Sequence, residues 1–127
     1  YPNSNRIDSC NQIMDKLQSK LEKKQYEYAY LYYKTENYKA AVSAFESTLE
    51  KYPNSSNKED IRFYLVKSNY LLAINSIPTK KKERLNNTLK SYRKFVALFP
   101  DSKKRSEVDS IKKKVDKELE LMEKDQG

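Results

Sequence analysis

Apolar side chains recur at helical spacing along this chain, most clearly between residues 38 and 53. The stretch reads YKAAVSAFESTLEKYP, and its apolar positions step by four and three residues at Tyr38, Val42, Phe45, Leu49 and Tyr52. Such steps place these side chains on one face of an α-helix. The same steps recur before a later proline, at Leu85, Leu89, Tyr92, Val96 and Phe99. The two stretches therefore predict one structural part that occurs twice.

A short phrase follows each of these helices: an aromatic residue, Pro, Asn or Asp, and Ser. It reads YPNS at 52–55 and FPDS at 99–102, and YPNS also opens the chain. Pro lacks an N–H and disfavours helix in the residue before it, so each phrase ends a helix. The Asn, Asp and Ser side chains can cap the next helix. Pro2, Pro53 and Pro100 lie 51 and 47 residues apart, which predicts a repeating unit of two helices.

Further helices are predicted on both sides of these two. Apolar spacing predicts them at residues 4–22, 23–37, 59–74 and 103–124. Pro78, in SIPTKKKE, separates the helix at 59–74 from its partner. We therefore expect an all-α solenoid of about six helices in antiparallel hairpins. Whether residues 4–34 form one helix or break near EKKQ stays open. Because the chain opens on the closing phrase of its own repeat, we expect earlier repeats and any targeting segment upstream of residue 1.

The spacing of small and large residues matches the tetratricopeptide repeat, in which a small residue on one helix receives a large one from its neighbour. With Pro53 at the closing proline, Ala29 takes a small position, and Ala41 and Phe45 keep the Ala-x3-Phe spacing. Tyr28 and Tyr32 are expected to pack between helices. In the next unit the corresponding positions hold Ser68, Leu71, Thr88 and Tyr92, with about eight extra residues between the helices.

The chain is therefore expected to form a single tetratricopeptide-like domain over residues 1–127. We divide it into the end of a preceding repeat, one repeat unit, an extended second unit and a C-terminal helix, at residues 1–22, 23–55, 58–102 and 103–124.

Composition agrees with helices and places the charge. The one Gly is the last residue, so the turn chemistry of a β-rich fold is absent. The net charge of +8 lies mostly in residues 77–127, which carry 15 basic and 9 acidic groups. Such a basic half suits nucleic acid, anionic lipid or an acidic protein. No apolar run approaches the roughly 20 residues needed to span a bilayer.

Residues for catalysis or cofactor binding are scarce. The chain has no His, and its one Cys, Cys10, allows neither a disulfide within the chain nor a thiolate metal cluster. At helical spacing, Cys10 is expected to be a buried or half-buried thiol. Glu59 and Asp60 are explained by the preference of a helix N-terminus for acids. The sequence therefore predicts no catalytic residue, no metal site and no cofactor.

Tyrosines and lysines mark a candidate partner-binding surface. Tyr26, Tyr30 and Tyr33 share a second face of their helix, flanked by Lys23 and Lys34. The repeat register places this face in a concave groove, continued in the next unit by Arg62, Leu65, Asn69 and Leu72. Tyr suits such a surface because it offers a large area, few rotamers and a hydroxyl. The alternative is that these tyrosines pack between repeats.

The [YF]-P-[ND]-S ends, the stretch LEKKQYEYAYLYYKTENYKAAVSAFE and the charged insert resemble the BamD family, the tetratricopeptide lipoproteins of the outer-membrane β-barrel assembly machine. The resemblance covers nearly the whole chain and corresponds to the C-terminal part of such a protein. Where family members often carry Gly before the second helix, this chain has TEN. Cys10 is not in a lipobox context, so the resemblance does not make it the lipid anchor.

The resemblance implies a non-catalytic scaffold at the periplasmic face of the outer membrane, anchored by a lipid that this chain does not carry. Its implied partners are the periplasmic domains of the barrel-forming subunit BamA, other lipoproteins of the machine and unfolded outer-membrane proteins. A repeat adaptor of another envelope or cytosolic complex is the alternative. A basic nucleic-acid binder is a third reading, disfavoured because Lys outnumbers Arg and the aromatic residues lie away from the basic runs at 80–84, 103–105 and 112–114.

Overall fold

The computed structural model describes the backbone of residues 2–126 and the side chains of residues 11–124. Across that range the chain forms five α-helices and no strand, which confirms the all-α prediction. The helices are α1 Pro2–Lys34, α2 Tyr38–Lys51, α3 Lys58–Ile74, α4 Pro78–Leu98 and α5 Arg105–Gln126. The predictions for the phrase at Tyr1 and for the thiol of Cys10 lie outside the described residues.

Residues 4–34 belong to one helix, so the expected count of about six falls to five. Helix α1 runs unbroken for 33 residues. Nothing in EKKQ interrupts it, because Glu, Lys and Gln are all good helix formers. The helix ends in a tight turn in which Glu36 takes a left-handed backbone conformation, with φ at 65°. The TEN sequence therefore places Glu where glycine would be favoured.

The repeated phrase builds the same turn twice. The N–H groups of Tyr52 and Phe99 each donate to a carbonyl four residues back, at 2.9 and 2.8 Å. In the two turns, Ser55 Oγ accepts from the N–H of Asn57 at 3.0 Å, and Ser102 Oγ accepts from the N–H of Lys104 at 3.1 Å. The Ser of the phrase thus satisfies a free donor before the next helix begins. This confirms that the phrase joins one helix to the next.

Helix α3 is central and contacts each of the other four helices. One core lies between α1, α2 and the first half of α3, around Ala29, Phe45 and Ile61. A second core joins α3 to α4 and α5. Tyr64 packs against both cores. Every described helix is too short or too polar to traverse a bilayer.

The predicted exchange of small for large side chains is confirmed in the first unit. Ala29, Ala41 and Phe45 are completely buried together. Tyr28 and Tyr32, predicted to pack, are instead 56% and 42% exposed. Helix α1 packs Ala29, Tyr26, Tyr30 and Tyr33 against the first core. Tyr28 and Tyr32 lie outside this buried set and are exposed to solvent.

Candidate protein-binding groove

A groove of about 660 Å³ runs along α3, between α2 and α4. It exists because α2 and α4 each pack on α3, while within the described residues they make no contact with one another. We call it the α3 groove. It is lined by Lys39, Val42, Ser43, Glu46, Leu49 and Glu50 of α2, by Arg62, Leu65, Asn69 and Leu72 of α3, and by Arg84, Asn87, Lys90, Ser91 and Lys94 of α4.

The four residues predicted from α3 thus meet in one place. Asn69 lies at the middle of the α3 groove and is only 6% exposed. Its Nδ2 donates to the carbonyl of Leu65 at 2.9 Å and to Ser91 Oγ at 2.8 Å. These bonds use both amide hydrogens and fix the side chain between α3 and α4. Among the described residues its Oδ1 has no donor, so Asn69 offers the groove a hydrogen-bond acceptor.

Arg62 lies at the end of the groove where α3 begins. Its side chain is half-buried, and its Nε has no hydrogen-bond partner among the described residues. Burial lowers the pKa of the guanidinium, and the Glu46 carboxylate acts in the opposite direction. Arginine nevertheless stays protonated in proteins. The α3 groove therefore holds a partly desolvated cation whose Nε is buried and has no partner among the described residues.

The charge of the groove is unevenly distributed. Five cationic and two acidic side chains line it, a surplus of three positive charges. Both acids, Glu46 and Glu50, lie on the α2 wall, whereas the α4 wall carries cations only. An electrostatic potential that is positive along one wall attracts acidic groups.

The predicted tyrosine face of α1 does not line the α3 groove. Tyr26, Tyr30 and Tyr33 are half-buried and pack against the first core. The rings of Tyr30 and Tyr33 lie 5.2 and 5.1 Å from that of Tyr64, and Tyr26 lies 6.2 Å from Phe45. Burial is the main cause that raises the pKa of Tyr26 to about 12. This geometry agrees with the alternative in which these tyrosines pack between repeats.

The single groove expected from nine residues is therefore wrong in its continuity. Lys23 and Tyr26 line a separate, smaller hollow beside Ser56 and Asn57, and Lys34 lies over the Tyr30 ring at 5.5 Å. On α3, the residues that lie toward α4 and α5 are Phe63, Lys67 and Tyr70. Arg62, Leu65, Asn69 and Leu72 instead line the α3 groove, whereas Tyr30 and Tyr33 of α1 pack against α3.

Sequence reasoning missed the two walls of the groove. On α4 the signal is a polar row, Arg84, Asn87, Ser91 and Lys94, that steps by three and four residues beside the apolar face. It also missed an exposed apolar surface on α1, where Tyr28, Leu31 and Tyr32 face solvent. The sequence signal for this surface is a second row of apolar residues at helical spacing on α1, in addition to the row that packs against the core.

Each basic run contributes an ion pair. Lys81 of α4 pairs with Glu118 of α5 at 2.9 Å, and Lys104, just before α5, pairs with Asp60 of α3. Lys112 pairs with Asp116 within α5 at 2.8 Å. Within the described residues, no group of His, Cys, Asp and Glu could hold a metal ion. The feature of these residues best suited to a ligand is therefore the α3 groove.

Comparison with known proteins gives a match along the length of this fold. The model of the family YfiO, described as an outer membrane lipoprotein, matches residues 1–122. The matched range runs from α1 into α5 and includes every residue of the α3 groove. A search of curated proteins found no match.

Proposed function

Since the chain belongs to the YfiO (BamD) family of outer membrane lipoproteins, we propose that it is a non-catalytic docking scaffold for the assembly of outer-membrane β-barrel proteins. In this proposal it works at the periplasmic face of the outer membrane. Its partners are the periplasmic domains of the barrel-forming subunit, with other lipoproteins of the machinery and unfolded outer-membrane proteins as further candidates.

The α3 groove is the observation that carries the docking proposal. It brings side chains from three consecutive helices to one concave surface, with Leu65 and Leu72 at its floor and charges along its rim. Eleven of its fifteen lining residues are polar or charged, so charge complementarity is what this surface offers a partner. Solenoids commonly bind partners on the surface created between stacked helices. In such an arrangement the charged residues tune association rate and register.

Blocking the groove tests the proposal. Ser43 is exposed on the α2 wall, so Ser43→Trp would fill the groove without disturbing a core. Ser106 is exposed on α5, outside the groove, and Ser106→Trp is the matched control. Binding of the full-length protein to the isolated periplasmic domains would be measured by titration calorimetry. We expect at least about tenfold weaker binding for Ser43→Trp, a loss of about 1.4 kcal/mol, and no change for the control.

Two results would contradict this. Undetectable binding by the unaltered protein would reject docking onto the barrel-forming subunit. Normal binding by Ser43→Trp, combined with loss in a Tyr28→Ala, Tyr32→Ala double variant, would move docking from the α3 groove to the exposed tyrosine surface of α1.

A further inference from the structure

We propose that the α3 groove receives an extended acidic segment of a partner protein, four to five residues long. This inference rests on the proposed function, because it names the chemistry of what the docking surface takes. Three observations carry it: the positive charges of the α4 wall and Arg62, the hydrogen-bond acceptor of Asn69, and the length of the groove.

The α4 wall selects for acidic side chains. Arg84, Lys90 and Lys94 line it, and no acidic residue lies on this wall of the groove. Arg84 is held in place by a hydrogen bond from its Nη1 to Ser76 Oγ at 2.5 Å. Lys90 and Lys94 are exposed and form no ion pair with a described residue. Their charges are thus available to carboxylates of a ligand, and a partner segment rich in lysine would be repelled.

The centre of the groove is suited to a peptide backbone. Asn69 Oδ1 is an acceptor without a donor among the described residues, and Asn69 is held rigidly by its two bonds to Leu65 and Ser91. A backbone N–H of an extended chain is the donor that such a rigid amide can take. At the end where α3 begins, a carboxylate would meet the positive charge of the Arg62 guanidinium, although its Nε is itself buried.

The length of the groove limits the segment. Its lining residues extend from Arg62 to Leu72 on α3 and from Arg84 to Lys94 on α4. At 1.5 Å per residue, each of these stretches is roughly 15 Å long. An extended chain covers this distance in about four to five residues. In such a chain, alternate side chains point to opposite sides, so acidic residues facing α4 would alternate with apolar residues facing Val42 and Leu49 on the α2 wall.

A nucleic acid fits the same charge less well. Single-stranded nucleic acid is held by aromatic rings that stack on its bases. Among the described residues that line the groove, none is aromatic. An oligonucleotide therefore serves as a competing probe in the test.

The probe is a fluorescein-labelled pentapeptide with blocked ends that alternates aspartate and leucine, and its control replaces each aspartate by asparagine. Fluorescence polarisation measures both against the chain. The variants are Lys90→Glu, Lys94→Glu in the groove and Lys80→Glu, Lys82→Glu on the same helix outside it. We expect the acidic peptide to bind, and the control peptide and the groove variant each to weaken binding at least about tenfold. The Lys80, Lys82 variant should change affinity less than about twofold.

A two-dimensional ¹H–¹⁵N NMR spectrum monitors the centre of the groove, where the acidic peptide should shift the side-chain NH2 signal of Asn69. Three outcomes overturn the inference: equal affinity for the two peptides, equal loss in the two double variants, or tighter binding of a single-stranded oligonucleotide that the groove variant abolishes. Partner titration separates this inference from the proposed function. If no peptide binds but Ser43→Trp still weakens binding to the periplasmic domains, docking stands and the acidic segment is rejected.

Discussion

Replacing Tyr64 by Ala should destabilise the fold more than any comparable change of an exposed tyrosine. Tyr64 lies on α3 and packs against both cores. Its ring lies 5.2 Å from Tyr30, 5.1 Å from Tyr33, 5.9 Å from Phe45 and 5.2 Å from Phe63. Removing this ring therefore loosens the packing of the first hairpin, α1 and α2, against the second hairpin, α3 and α4.

The magnitude follows from these contacts. Complete truncation of a fully buried aromatic side chain costs about 3–5 kcal/mol. Each aromatic pair contributes about 0.5–1.5 kcal/mol beyond area burial. Because Tyr64 is only half-buried, we expect a loss near the lower end, about 3 kcal/mol in the free energy of unfolding. For a chain of this size, that corresponds to a fall in Tm of roughly 10–15 °C.

Urea unfolding followed by far-UV circular dichroism measures this loss. Tyr64→Phe keeps the ring pairs and should lose no more than about 1 kcal/mol. Tyr32→Ala, at 42% exposure, should also lose less than about 1 kcal/mol. If Tyr64→Ala loses no more than Tyr32→Ala, the aromatic cluster does not join the two hairpins, and our explanation of the α1 tyrosines is wrong.

Two further predictions concern a turn and an acid. Glu36→Gly should stabilise the fold by up to about 1 kcal/mol, because φ at this position is 65°. As the control, Lys24→Gly within α1 should destabilise the fold by about 0.5–1 kcal/mol. Chemical denaturation compares the two variants, and a loss of stability in Glu36→Gly would contradict the turn geometry. The pKa of Asp109 is lowered, chiefly by the hydrogen bond from the Tyr92 hydroxyl at 2.5 Å. Its stabilising effect is therefore present above the unfolded pKa of about 3.9 and is lost as the pH falls through the lower folded value. Unfolding measured from pH 5 down to pH 2 should show a smaller loss for Tyr92→Phe than for the unaltered chain; an equal loss would show that this bond does not govern the acid response.

The fold was largely predictable because the sequences that end one helix and begin the next act through local contacts. The phrases at 52–55 and 99–102 end one helix and begin the next through bonds within a few residues, so sequence alone reveals them. Ala29 and Phe45 were also predictable, because a small and a large residue at fixed spacing need each other to fill space. Whether α1 breaks was left open from the sequence, and the helix runs unbroken through the good helix formers of EKKQ.

The site was only half predictable. The periodicity of α3 placed Arg62, Leu65, Asn69 and Leu72 on one face, and the structure brings them into one groove. Periodicity does not say which face meets which neighbour, so the tyrosines of α1 were assigned to the same groove, although they pack against the first core. The α4 wall needs the packing of α4 on α3, which no local pattern specifies. For a Tyr, an apolar ring with a polar hydroxyl fits a core edge and a binding surface equally well.

Site-specific photo-crosslinking shows directly whether the α3 groove contacts the barrel-forming subunit. A photoreactive amino acid would replace Ser43 on the wall of the α3 groove, or Ser106 on α5 as the control, in the full-length protein within cells. We expect a crosslinked product that contains the barrel-forming subunit at Ser43 and none at Ser106. Crosslinking to that subunit at Ser106 alone, or equally at both positions, would contradict this expectation.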